Sequence, residues 1–213
     1  GSYINADGTH AAVFDATKTV GVVFAVEADK AYALALSNVT RVKIFAGEND
    51  FAGPAELSNE LFNAPFGSSE WTDFIAAIGE TASPLVDNFA TWAADHALTG
   101  SNLSAWYCPN PAQMKTIAGL LFNGGEWTVK NAGGASADFP ARNDAFAAAY
   151  TAAVGADAIF TFNGTAANFF TGVIGSDYKA LCVQVDETNH TIGAVYAKEN
   201  NPALIRPVLT ITK

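Results

Sequence analysis

The chain is short of cysteine, of basic residues and of long apolar runs, and each shortage excludes something. Only two cysteines, Cys108 and Cys182, occur in 213 residues. They stand too far apart for a zinc ribbon or a Cys-x-x-Cys redox site. Two readings remain: one disulfide between neighbouring strands, or two buried free thiols, which pack like small hydrophobes. Lysine and arginine number 11 against 21 acidic residues, for a net charge of −10. An acidic domain repels phosphate backbones and anionic lipid surfaces, so nucleic acid is not expected as a partner. No apolar run reaches the length of a membrane span, and membrane insertion by this domain is not expected. No signal peptide is present, but Gly1-Ser2 reads as a cloning remnant, so that absence excludes nothing and leaves room for an upstream domain.

Catalytic and cofactor signatures are missing too. There is no Gly-x-Ser-x-Gly elbow, no phosphate loop, no dinucleotide fingerprint and no His-Glu-x-x-His helix. The three histidines, His10, His96 and His190, are scattered without metal-ligand spacing, so no metal and no cofactor is expected. His96 falls near the end of an expected helix, where histidine commonly serves the helix dipole. Glu48-Asn49-Asp50 and Asp186-Glu187 lack the alternating oxygen ligands of a calcium loop and read as solvated turns.

What is present supports a sizeable core, since half of the residues are hydrophobic. Trp106-Tyr107-Cys108-Pro109-Asn110-Pro111 organises the middle of the chain. Pro109 pushes Cys108 into an extended conformation. Asn110 is a good N-cap, and Pro111 suits the first helical position. Met114, Ile117, Ala118, Leu121 and Phe122 then recur at helical spacing, and Asn123-Gly124-Gly125 ends the helix. Further helices are expected over 70–78, from the Ser83-Pro84 cap towards Gly100, and from Asn143 or Asp144 to Gly155. Asp7-Gly8 marks an early hairpin turn. Strands are expected over 20–26, 31–36, 39–45, 158–162, 179–185, 191–198 and 204–212. Residues 47–65 and 130–142 read as loops. Nothing marks a domain boundary, so residues 1–213 are read as one domain.

The C-terminal third mixes aromatics with asparagines, a combination that binding surfaces favour. Asn163, Asn168, Phe169, Tyr178, Asn189, Tyr196, Lys198 and Asn200 are the candidate ligand contacts. The alternative is that the aromatics are core and the asparagines are turns. No catalytic residue is assigned.

Three stretches in order resemble the major paralogous domain, a family of bacterial secreted and surface domains. Val20-Gly21-Val22-Val23-Phe24 with Leu34-Ala35-Leu36 looks like its opening hairpin. Trp106-Tyr107-Cys108-Pro109 looks like its Trp-Tyr-Leu-Pro signature, with Cys108 in place of leucine. Leu204-Ile205-Arg206-Pro207-Val208-Leu209 looks like its closing strand. Ile159-Phe160-Thr161-Phe162-Asn163 is a poor match to its Tyr-Trp-Ser-Ser-Thr run. The resemblance implies an α+β, C-type-lectin-like fold: a mixed, mainly antiparallel sheet with flanking helices, and the N- and C-terminal strands in one sheet. It implies a non-catalytic ligand-binding or adhesion module, secreted or anchored on the bacterial outer membrane as part of a longer surface protein or lipoprotein, taking a glycan or protein on its C-terminal loops. The calcium-ligand motifs of animal C-type lectins are absent. Two alternatives stand beside it: an enzyme related in fold to the formylglycine-generating enzymes, which would need a reactive cysteine, and a structural pilus or tip subunit.

Overall fold

The computed structural model describes residues 2–47, 57–131, 136–155 and 166–213. The described residues fold as an α+β domain with four α-helices and two mostly antiparallel sheets. The expected strand at 158–162, candidate Asn163, Glu48-Asn49-Asp50 and Gly133-Gly134 lie outside the described residues.

The first sheet is built from both ends of the chain. β1 (Tyr3–Asn5) pairs with β2 (His10–Ala11) through the Asp7-Gly8 turn and with β3 (Thr19–Val26). β3 pairs with β4 (Lys30–Ala35), and β4 with β11 (Val208–Thr212). The N- and C-terminal strands therefore share one sheet, in the order β11-β4-β3-β1-β2. Val22, Val23 and Phe24 are buried on consecutive positions, as a strand covered on both faces requires.

The second sheet runs β5-β10-β7-β8-β9-β6. β5 is Val39–Lys43, β6 Thr128–Val129, β7 Ala167–Gly175, β8 Lys179–Asp186, β9 Thr191–Lys198 and β10 Pro202–Ile205. Two expectations change here. The strand expected over 204–212 divides at Arg206-Pro207, with Leu204 and Ile205 in the second sheet and Val208 onward in the first. Proline lacks the N–H that an unbroken ladder needs, so the chain changes sheet there. β7 was not expected at all. Its interior holds Gly172 at φ +75, beside the register shift between Phe170 and Ile174. A Cβ on Gly172 would stand 3.2 Å from the backbone nitrogen of Trp71, so glycine serves both the bulge and the close approach.

The helices cover the sheets. α1 (Ser69–Ile78) packs on β7, and α2 (Pro84–Asp95) packs on β5. α3 (Pro111–Phe122) buries nine of its twelve residues and packs on β7, β8 and β9. α4 (Asp144–Val154), capped by Asn143, packs on α3 and β3. The α2 helix stops at Asp95, short of the expected Gly100, with His96 as its C-cap.

A buried arginine holds the crossing between the sheets. Arg206 donates from Nε to Asn38 Oδ1 at 2.6 Å and from Nη1 to Tyr150 Oη at 2.6 Å. Tyr150 Oη in turn donates to Ala35 O at 2.7 Å. The corner, the end of β4 and α4 are thus tied by charge-assisted bonds away from water.

Candidate functional site

The candidate residues divide between the two ends of the β8–β9 hairpin. At one end, Ser176-Asp177-Tyr178 joins β7 to β8. Asp177 (φ +59) and Tyr178 (φ +58) are successive non-glycine residues in the left-handed region. A bulky residue there is a backbone outlier, because its Cβ crowds the following carbonyl. The turn is held from the adjacent connection, where the Glu199 amide donates to Tyr178 O at 3.0 Å and the Asn201 amide donates to Lys198 O at 2.9 Å. Glu199 is buried, which anchors this second turn in the core. Lys179 stands opposite Lys198 in the ladder, and Lys179 Nζ reaches Asp177 Oδ2 at 3.4 Å. Tyr178 is 39% exposed, Lys198 is exposed and Asn200 half-buried. Tyr178, Lys179, Lys198 and Asn200 therefore form one surface, of which the sequence reading missed Lys179.

The remaining candidates lie elsewhere. Asn189 sits in the β8–β9 turn, where its backbone and side chain donate to the Asp186 carboxylate and hold that carboxyl below the usual range. β8 puts this turn about 25 Å from Tyr178, at ~3.3 Å per residue. Asn168 lies towards the Asn189 end, accepting from Gln184 Nε2 across the ladder at 3.0 Å. Tyr196 is half-buried, and its hydroxyl donates to Leu57 O. Phe169 is 0% exposed and packs in the core, so it offers no surface to a ligand. The aromatic-is-core alternative holds at this position. β7 is covered on both faces from Phe169 to Val173, so alternation along the strand carries no signal for it.

The groups that could serve an enzyme here are the two cysteines and His96. Cys108 and Cys182 are free and fully buried. Cys108 Sγ donates to Phe170 O at 3.2 Å. Burial pushes the Cys108 thiol well above its ordinary value and the Cys182 thiol up to about 12. A thiol without thiolate character and without access is a poor nucleophile. His96 stacks on Trp92 at 4.0 Å, and its Nδ1 lies 2.7 Å from Trp92 O. That short contact with a carbonyl requires the proton on Nδ1, leaving Nε2 to face Ser37 Oγ at 3.4 Å. Ser37 Oγ already accepts from the Trp92 indole at 3.0 Å, so the group closes the end of α2. Among the described residues no cluster of His, Cys, Asp and Glu is placed to hold a metal ion.

Near the Asn189 end, a cleft opens beside Trp127 and Arg142, neither of which the sequence marks as functional. No family model matches the chain, and no curated protein or solved structure matches it.

Proposed function

We propose that the chain is a non-catalytic binding or adhesion module with a C-type-lectin-like fold, belonging to a secreted or surface-anchored bacterial protein. Its ligand, a glycan or a protein, docks on Tyr178, Lys179, Lys198 and Asn200. One observation carries this reading. A tyrosine that the hairpin would replace more cheaply with glycine is held in the left-handed region, with its side chain partly exposed to solvent. Strain concentrated on an exposed aromatic fits presentation of that side chain, because tyrosine offers large contact area with few rotors. The lysines and Asn200 add donors and an amide of either polarity. Thiols this deeply buried, with burial holding them protonated, weigh against a cysteine-dependent enzyme. Screening of glycan and protein arrays with the wild type and a Tyr178→Ala/Asn200→Ala variant tests the reading. The variant should lose a ligand at an unchanged melting temperature, and a ligand set that is fully retained would refute it.

A structural subunit that assembles by strand pairing is the second reading, and it too has an observation behind it. β1 accompanies β3 only as far as the Val23 amide, which donates to Ser2 O at 2.8 Å. On that side of β3, opposite β4, no strand among the described residues continues beside Ala25 and Val26, and Val26 is 65% exposed. An open strand edge of this kind invites a strand from another chain. Sedimentation over a wide concentration range distinguishes the two: a size that does not change with concentration sets the assembly reading aside.

A further inference from the structure

We infer that the cleft at the end of α3 is a second ligand site, one that takes a neutral glycan. It lies near the opposite end of the β8–β9 hairpin from Tyr178 and does not depend on the turn surface. Its volume is about 560 Å³, within the usual range for small-molecule sites, and Gly124, Gly125, Glu126, Trp127, Arg142 and Asp144 line it. The sequence builds it where two chain reversals meet. Gly124 (φ +138) and Gly125 (φ +63) turn the chain after α3, and a side chain at Gly125 would meet only open space. The Arg142 amide donates to Asn123 O at 2.9 Å, which sets the second wall against the first.

The contents of the cleft select the ligand. Trp127 packs on Phe122 with ring centroids 4.4 Å apart, and His190 lies 5.4 Å from Trp127 at 24°. The indole is therefore held in place by its neighbours, while its N–H makes no hydrogen bond among the described residues. Arg142 pairs with Asp144 at 3.0 Å, and the Glu126 carboxylate lies 3.5 Å from His190 Nδ1, a contact that is an ion pair only when the imidazole carries both protons. Glu126 and Asp144 against Arg142 leave the lining without a net positive charge to capture an anion, and the chain's net charge of −10 opposes one further. Each pair still offers donors and acceptors side by side. Hydroxyl groups both donate and accept, so a sugar can meet the donors and the acceptors together and also accept from the indole N–H. A neutral glycan uses all three features, whereas a phosphate or sulfate would need the carboxylates removed.

The test is a titration of isotope-labelled protein with millimolar maltose, cellobiose, lactose and chitobiose, read by amide and indole proton shifts. At least one sugar should move the Trp127 indole signal together with Gly124, Gly125 and Arg142, and leave Tyr178 and Lys198 still. Its affinity should hardly change with salt, since no net charge is neutralised. Arg142→Ala, at an exposed position that the fold does not need, should weaken binding about tenfold, as loss of a charge-assisted hydrogen bond does. Trp127→Phe keeps the packing on Phe122, removes the N–H and should also weaken binding. The inference is overturned if none of the four sugars moves these signals, if only the Tyr178 turn responds, or if glucose 6-phosphate or a sulfated sugar binds more tightly than its neutral parent. A response at the Tyr178 turn alone would leave the proposed function standing while removing this site.

Discussion

Tyr178 carries a backbone cost that nothing in the β7–β8 hairpin demands of a tyrosine, and this makes single-residue tests informative. Tyr178→Gly should leave stability unchanged or raise it by up to ~1 kcal/mol in urea unfolding, because glycine occupies the left-handed region without the Cβ clash. A clear loss of stability would show that the ring is needed by the fold and is not kept for a ligand. The cysteines provide a second test at this scale. Neither thiol should react quickly with a disulfide reagent in the native protein at mildly alkaline pH, and both should react once the chain is unfolded. One fast native thiol would revive the enzyme reading. Leu121, 2% exposed on α3, should cost ~2–5 kcal/mol when truncated to alanine.

α3 shows what can be read from sequence at the scale of an element, and β7 shows what cannot. Asn110 and Pro111 begin α3 as their cap and first-turn chemistry dictates, and the Asn110–Gln113 capping box is complete. Met114, Ile117, Ala118, Leu121 and Phe122 are all buried, as their spacing implies. Those signals are local, so sequence suffices. β7 was hidden because Asn168, Thr171 and Gly172 imitate a turn. Their places are decided by distant partners: Gln184 for Asn168, the Leu181 carbonyl for Thr171 and the backbone of α1 for Gly172. The division of the closing strand at Arg206 likewise depends on Asn38 and Tyr150, both remote in sequence. The candidate surface suffered in the same way, since which asparagines lie together depends on how β7, β8 and β9 pair. Gly119 gives the element-scale prediction with a reversed sign. Alanine usually stabilises a helix interior by about 1 kcal/mol over glycine. Here its Cβ would stand 2.6 Å from Pro140 O, so Gly119→Ala should lower the melting temperature. A rise would show that α3 and the chain around Pro140 are not packed as closely as described.

At the scale of the whole molecule, both chain ends enter one sheet and a buried polar hub ties it to the second, so stability should follow the protonation of groups held neutral inside. Burial raises Tyr150 from 10.0 to about 12 and Cys182 from 9.0 to about 12. The folded state thus holds these protons more tightly than the unfolded chain. The stabilisation is full below pH 9 and is lost as pH rises towards 12. Thermal unfolding followed over that window should show a falling melting temperature, and a flat profile would mean the hub is open to solvent. On the proposed function the domain is a support for exposed turns, the Tyr178 turn first among them. The most direct measurement is array binding of the wild type, Tyr178→Ala/Asn200→Ala and Arg142→Ala side by side, at matched melting temperatures. The account predicts at least one glycan or protein ligand that the turn variant loses and Arg142→Ala keeps. An array with no reproducible ligand, or one whose every ligand survives the turn substitutions, would contradict it.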